Sequence, residues 1–278
     1  MEVRLFPNSR RPGVGLKPRR EGTRPLLPQH ARHCPVLEAG SSLGFMVYAP
    51  LEPKESVYIE HEGDGRYKFV YYLQAQSGKP MPLFSVTMSL SLGGVGMVKE
   101  DVAFMGVPML SREAALAVAR VFIVPEDMGT PPGGIALRGA TNFQTPAGWD
   151  TVYTPIFNMI ERPVAPMLIV RVETDWYAHE TEFRYVLQPG EGITLSHSVP
   201  IGQVVFVPRE EITMRDCNNE ELEAIVASQA EFNQHKASAA QKTSYGLTVS
   251  PHYLRQSRTR AGGPARAKEI DAPTPEET

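Results

Sequence analysis

The residues of this chain that are best suited to chemistry lie in one acidic turn, Glu173-Thr174-Asp175-Trp176. A carboxylate beside an aromatic ring can act as a general base for water if burial raises its pKa. The flat indole of a tryptophan can stack on a planar ring of a ligand. We therefore take Glu173 and Asp175 as candidate catalytic carboxylates and Trp176 as a candidate ligand-binding platform.

Three further side chains could contact a ligand near this turn. Trp149 and Asp150 follow a Pro/Gly turn, and they are candidate contacts if that turn faces a cleft. Packing of Trp149 into the core is the alternative. Arg184 lies in an alternating segment, where it could reach an anionic ligand or line an exposed face.

A histidine and two carboxylates follow the acidic turn, at His179, Glu180 and Glu182. Together with the acidic turn they could bind a divalent metal. If residues 174–183 form a hairpin, however, alternate side chains point to opposite faces and only some of them could converge. Solvated loop charges explain the same residues, and we predict neither a metal site nor a cofactor.

The spacing of breakers and apolar residues predicts a mainly β protein. The 25 prolines and 23 glycines are spread along the chain, as is typical of short strands joined by turns. Strict alternation in residues 85–92 predicts a half-buried strand, and Glu62-Gly63-Asp64-Gly65 predicts a hairpin turn. The expected core strands lie within residues 44–50, 57–73, 84–92 and 135–207.

Two capping patterns predict short helices. Ser111 is a favourable N-cap for a segment that ends near Arg120, although this segment could instead continue into a strand at residues 121–124. Asn218 and Glu221, three residues later, fit a capping box. The second helix is expected to end before Lys236 and to pack through an apolar face. The residues of that face are Leu222, Ile225, Val226, Gln229 and Ala230.

Three motifs stand between Asn142 and Arg209. They are Thr145-Pro146-Ala147-Gly148-Trp149, Glu173-Thr174-Asp175-Trp176 and Ser198-Val199-Pro200-Ile201-Gly202-Gln203-Val204. In these motifs the chain resembles a bacterial family of unknown function, whose members show a Thr-Pro-Pro-Gly-Tyr turn, an Asp-Thr-Asp turn and a Gly-Thr-Pro-Ile-Ala-Gln-Val strand. The Cys34-Pro35 start and the Gly44-Phe45 strand are also similar to that family.

More distantly, the same segment resembles the dUTPase and dCTP deaminase superfamily, whose fold is called a β-clip. The resemblance implies a β-clip-like domain of short strands with one or two peripheral helices. It also implies that Glu173 corresponds to the catalytic carboxylate, Trp176 to the base-stacking tyrosine and Gln203 to the glutamine of the last strand.

The chain departs from that superfamily where phosphate would bind. Ile156-Phe157-Asn158 stands in place of an Arg-Ser-Gly motif and offers neither a guanidinium fork nor a hydroxyl. We therefore expect a binding or assembly protein on a β-clip-like scaffold, without nucleotide triphosphate hydrolysis. The alternative is an enzyme that acts on a nucleotide-like or other small heterocyclic metabolite, with Glu173 or Asp175 as its base.

The predicted organisation has flexible ends. Residues 1–33 are rich in arginine, proline and glycine and can bury little apolar surface, so they predict a basic arm. A β-rich domain is expected at residues 34–215, with its β-clip-like segment at 135–209. A helix at 216–236 and a flexible tail at 237–278 complete the chain.

Composition limits the partners that the chain is expected to have. The net charge of −3 gives no overall field that favours nucleic acid. No apolar run approaches the roughly 18 residues of a membrane span, and two cysteines, Cys34 and Cys217, exclude a disulfide framework. We expect a cytoplasmic protein that binds a small molecule or forms a homo-oligomer, with no membrane and no specific nucleic acid.

Overall fold

The computed structural model describes residues 1–20, 34–89, 99–106, 110–124, 134–159, 167–242, 246 and 248–259. These residues form a mainly β protein with few helices, which confirms the predicted class. The chain divides into two units. The first comprises residues 1–32 and 40–210, and the second comprises residues 33–39 and 211–278.

The first unit is built from short strands. In chain order they are β1 (Arg4–Pro7), β2 (Phe45–Tyr48), β3 (Glu55–Gly63), β4 (Arg66–Gln74), β5 (Pro80–Ser89), β6 (Lys99–Phe104), β7 (Ile123–Val124), β8 (Gly134–Arg138), β9 (Thr141–Gln144), β10 (Trp149–Thr154), β11 (Met167–Leu168), β12 (Val170–Val172), β13 (Glu182–Val186), β14 (Gly192–Ser196) and β15 (Pro200–Pro208). Helix α2 (Arg112–Phe122) runs into β7, whereas most of helix α1 (Pro35–Ser41), which precedes β2 in the chain, belongs to the second unit.

Among the described residues, these strands form three antiparallel sheets of four or five strands. Their strand orders are β14-β3-β4-β5-β6, β12-β10-β15-β2 and β11-β13-β8-β7. β11 and β12 are separated by Ile169 alone, yet they belong to different sheets. The chain therefore crosses from one sheet to another at this residue, which places β12 and β13 on the two sides of a gap.

The predicted hairpin is confirmed between β3 and β4. Asp64 and Gly65 form a two-residue loop with φ of 52° and 68°. Two positive φ values in succession are the signature of a type I′ turn, whose twist matches that of the flanking strands. The resulting register pairs Val57 with Tyr71 and Ile59 with Phe69, so the inward side chains of both strands face the core.

The core of the first unit contains buried residues from all three sheets and from α2. Phe69 lies at its centre, with its ring 6.2 Å from that of Phe84 and 5.9 Å from that of Phe122. Burial of each such side chain contributes roughly 1.5–3 kcal/mol. Phe122 is the last residue of α2, so the contact anchors the helix on the sheet.

Helix α2 begins where its capping residue predicts. The Ser111 hydroxyl accepts a hydrogen bond from the Ala114 N–H at 3.2 Å. The helix continues to Phe122, and only Ile123–Val124 adopt the strand that the sequence offered as an alternative.

The prediction of a flexible arm is wrong for the start of the chain. β1 pairs with β9, and the buried side chain of Asn8 donates to the Gly139 carbonyl oxygen at 2.9 Å. Arg11 forms two 2.7 Å bonds with the carboxylate of Glu55. Strand pairing and polar contacts thus order a segment that has little apolar surface of its own. Residues 21–33 of the predicted arm lie outside the described residues.

The second unit contains helix α3 (Asn219–Ser238), strands β16 (Gln241–Lys242) and β17 (Thr248–Val249), and helix α4 (His252–Thr259). The capping box of Asn218 and Glu221 is confirmed. The predicted packing of α3 is wrong, because none of its residues is buried and Leu222, Ile225 and Val226 are exposed. The helix also extends past Lys236. Within the part of the chain that the structure describes, no helix is both long enough and apolar enough to span a membrane.

The contact between Arg11 and Glu55 predicts a sensitivity to acid. Burial raises the pKa of Glu55, but hydrogen bonds from Arg11, the Glu52 N–H and Tyr71 outweigh it, and the net pKa is lowered. A carboxylate whose pKa falls on folding stabilises the protein above its unfolded pKa of about 4.3, and this contribution is lost as the pH falls through the folded value. We expect Glu55→Gln to cost about 1 kcal/mol of unfolding free energy at pH 7 and progressively less below about pH 4.

Urea unfolding at a series of pH values would measure this difference. Glu62→Gln is the matched control, because Glu62 faces the exposed Arg66 at 3.9 Å. A constant difference between wild type and Glu55→Gln at every pH would contradict the prediction.

Candidate functional site

A buried ion pair fixes the strands beside the acidic turn. The side chain of Asp150 is 1% exposed and accepts hydrogen bonds from Arg171 Nε at 2.5 Å and from Arg209 Nη2 at 2.6 Å. Hydrogen bonds from Arg209 lower the pKa of Asp150, and Arg171 lowers it further. The carboxylate is therefore ionised and held by two cations.

Strand register explains why these three residues meet. β10 lies between β12 and β15, and Val152 of β10 pairs with Arg171 of β12. Residues two apart on a strand share a face, so Asp150 points to the same side as Val152 and Arg171. Arg209 directly follows β15, whose Val207 pairs with Asp150. One carboxylate thereby connects three neighbouring strands.

Asp175 extends this network to the acidic turn. It accepts hydrogen bonds from Arg209 Nη2 at 2.7 Å and from the Gly148 N–H at 2.9 Å. Arg209 is the larger cause of the lowered pKa of Asp175, followed by the Gly148 N–H. Gly148 has a φ of 77°, a conformation that favours glycine. The bond therefore ties the turn of the first motif to the turn of the second.

Three buried threonines join the same two turns. The hydroxyl of Thr174 lies 2.9 Å from that of Thr145 and 2.7 Å from that of Thr151. Thr145 also donates to the carbonyl oxygen of Trp149 at 2.6 Å. This chain of hydroxyls satisfies buried polar groups and holds the acidic turn in one position.

The end of the acidic turn presents aromatic rings to solvent. Trp176 is 68% exposed and Tyr177 is 49% exposed, with ring centroids 5.7 Å apart. Tyr177 lies 5.2 Å from the ring of His179. The indole Nε1 of Trp176 donates to the carboxylate of Glu173, which also lies 3.8 Å from Arg209. Glu173 therefore orients the indole while leaving its faces open.

These rings border a cleft of about 220 Å³ between β12 and β13. Its lining includes Glu173, Trp176, Tyr177 and His179 from the turn, together with Glu182 and Arg184 from β13.

Tyr153 and Arg171 also line this cleft. Tyr153 is 1% exposed, and the hydroxyl of Thr181 is the polar group beside its own, although the two do not form a hydrogen bond of good geometry. Burial raises the pKa of Tyr153 to about 12, so the hydroxyl stays protonated at neutral pH. Because this hydroxyl is buried, Tyr153 contributes its side chain to the wall of the cleft and does not offer a donor that solvent can reach.

The structure brings together only some of the predicted site residues. Glu173, Trp176 and Arg184 line the cleft, whereas Asp175 and Asp150 hold the surrounding turns in place. The lining of the described cleft does not include Trp149, which pairs with Pro208 at the start of β10.

Gln203, which the resemblance matches to the glutamine of the last strand, is not among the residues that line the described cleft. It pairs with Thr154, four residues along β10 from Asp150, a distance of roughly 13 Å in a strand. Its amide oxygen accepts from the Phe157 N–H at 2.9 Å, and its nitrogen donates to the Leu43 carbonyl oxygen. Gln203 therefore joins two loops through backbone contacts.

The carboxylates after the turn form ion pairs with one arginine. Arg138 Nε lies 2.8 Å from Glu180 and 3.9 Å from Glu182. Among the described residues, no group of three His, Cys, Asp or Glu side chains is arranged to hold a metal ion.

The candidates taken from the sequence did not include three polar members of the cleft lining, Tyr153, Arg171 and Tyr177. Alternation in Trp149–Thr154 places Asp150 and Val152 on one face and Tyr153 on the other, and could have singled out the tyrosine. Arg171 stands between Val170 and Val172, and a cation inside an apolar strand calls for a buried anion. Which anion pairs with Arg171 depends on the order of the strands in the sheet.

Comparison with known proteins found no matching family model and no matching curated sequence. The function of this chain is therefore inferred from the geometry of the site.

The role of Asp150 predicts a loss of stability when its charge is removed. Asp150→Asn would leave two guanidinium groups facing a neutral amide, and we expect the unfolding free energy to fall by about 2 kcal/mol. The loss is smaller than for a fully buried pair because both arginines are partly exposed. Urea unfolding measures it, with Asp101→Asn at the exposed pair with Arg112 as the control. Equal stability of the two variants would contradict this role.

In contrast to Asp150, Glu173 is expected to contribute little to the stability of the fold. Glutamine keeps an oxygen that can accept the Trp176 Nε1–H, and the site is exposed, so Glu173→Gln should fold normally. We expect a change in unfolding free energy within about 0.5 kcal/mol. A loss of about 2 kcal/mol or more, measured by the same urea titration, would assign Glu173 a structural role.

Proposed function

We propose that this protein binds a small, planar, uncharged polar molecule in the cleft between β12 and β13. One observation carries the proposal: exposed aromatic rings border a cleft whose lining also includes the polar side chains of Glu173, His179 and Glu182. A heterocycle the size of a nucleobase has both the flat face and the polar edge that this arrangement can contact.

The aromatic rings supply the stacking surface. Trp176 keeps its faces open while its Nε1 is bound to Glu173, and the turn that carries it is tied down by Asp175 and Thr174. A ring that is already oriented loses little side-chain entropy when a ligand stacks on it. Such a contact between aromatic rings contributes about 0.5–1.5 kcal/mol beyond the area that it buries.

The size and charge of the cleft limit the ligand. A volume of about 220 Å³ lies below the roughly 300–1,000 Å³ of sites for drug-sized molecules, which favours a single ring. The lining carries two arginines and two glutamates, so it favours neither a strong anion nor a strong cation. Arg171 is moreover bound to Asp150. An uncharged ring with donors and acceptors matches this surface best.

The contacts of the acidic residues favour binding over proton transfer. Asp175 has a lowered pKa and is held by Arg209 and the Gly148 N–H, so it is a weak proton acceptor. Glu173 is occupied by the Trp176 indole. The β-clip-like scaffold and the homo-oligomer remain predictions that accompany this proposal.

The two tryptophans of the chain allow a direct test. In a Trp149→Phe variant, Trp176 is the only tryptophan, and its emission should be quenched in a saturable manner by uridine, cytidine or adenosine. In the matched Trp176→Phe variant, Trp149 is the only tryptophan and lies outside the lining, so the same titration should produce no saturable change. myo-Inositol, which has no aromatic face, is the ligand control.

Two outcomes would contradict the proposal. One is a response of equal size in both variants, and the other is no response to any of the three nucleosides at millimolar concentration. Chromatography of the titrated samples tests the enzymatic alternative, which requires consumption of a nucleoside that Glu173→Gln abolishes.

A further inference from the structure

A second and larger cleft lies elsewhere in the first unit, between the start of the chain and helix α2. Its volume is about 440 Å³. Arg10 and Arg11 border it on one side, and residues from the last two turns of α2 border it on the other. These residues belong neither to the sequence motifs nor to the cleft between β12 and β13.

Apolar side chains form one wall of this second cleft. Ala117, Val118, Val121 and Phe122 contribute from α2, and the ring of Tyr71 contributes from β4. Phe122 and Val121 are buried in the core, whereas Ala117 is exposed on the helix surface. The wall is therefore continuous with the packed interior and can cover an apolar group of a ligand.

The charges at this cleft are of one sign. In the part of the chain that the structure describes, its lining contains three arginines and no carboxylate. Arg11 is neutralised by Glu55, and Arg120 is bound to Glu100 at 2.9 Å. The backbone N–H of Arg10 donates a hydrogen bond to Asn8 Oδ1 at 2.9 Å. Its guanidinium, by contrast, has no hydrogen-bond or ion-pair partner among the described residues.

Arg10 stands on an ordered piece of backbone. Asn8 accepts the N–H groups of residues 10 and 11 and donates to Gly139, and the Arg11–Glu55 pair holds the next residue. The backbone that carries this exposed cation is thus held at the cleft.

We propose that this second cleft binds an amphipathic organic anion, in which a carboxylate is attached to a short apolar chain. The carboxylate would pair with Arg10, and the chain would lie along the α2 wall. The pairing supplies a charge-assisted hydrogen bond, and burial of the chain supplies roughly 25 cal/mol per Å² of apolar surface. This site is independent of the binding site proposed in the cleft between β12 and β13.

Isothermal titration calorimetry with octanoate, octylammonium and 1-octanol tests the proposal on the full chain. We expect octanoate to bind at least tenfold more tightly than octylammonium, with 1-octanol between them. Arg10→Glu should weaken octanoate binding about tenfold or more. Ala117→Trp should abolish it, because the indole fills the cleft from an exposed position on the helix.

Two controls make the result specific. Arg66→Glu makes the same charge change at an exposed arginine of the β3–β4 hairpin, outside the lining of this cleft, and should leave octanoate affinity unchanged. Circular dichroism and thermal unfolding establish that each variant is folded. Absence of octanoate binding, equal binding of octylammonium, or wild-type affinity in folded Arg10→Glu and Ala117→Trp would each overturn the proposal.

Discussion

The buried carboxylate of Asp150 is the interaction on which the candidate site depends. Removing a charge from water costs several kcal/mol unless it is paired, and Arg171 and Arg209 provide two partners. Because these partners come from β12 and from the end of β15, the pairing holds both strands against β10. Arg209 also reaches Asp175 and so fixes the turn that carries Trp176. The ion pairs that neutralise Asp150 thus also help to set the position of Trp176.

Some polar residues near the site hold loops in place, whereas others face the cleft. Asp150, Asp175 and Gln203 are occupied by arginines or by backbone groups, and their contacts hold loops in place. Glu173 and Trp176 face the cleft. A polar residue in a motif can therefore hold loops in place without contacting a ligand. The contacts of each side chain, rather than its type, separate the two functions.

The two clefts described above have contrasting chemistry. The first is small, borders exposed aromatic rings and carries both signs of charge. The second is about twice as large and has an apolar wall, and the charged side chains among its described lining residues are all arginines. Each lies where separate elements meet: the first at the crossing between two sheets, and the second where the N-terminal segment faces α2. The predicted flexible arm therefore supplies one wall of a cleft.

Local patterns in the sequence determined the β class, the type I′ turn at Asp64-Gly65 and the caps at Ser111 and Asn218, because each depends on residues within a few positions of one another. The tertiary structure alone decided which distant groups meet. The order of Arg4–Pro7 depends on pairing with β9, and the position of Gln203 away from Glu173 depends on the register of β15. The partners of Asp150 depend on which strands flank β10. Strand order is set by the packing of the whole core, which spacing along a single chain does not encode locally.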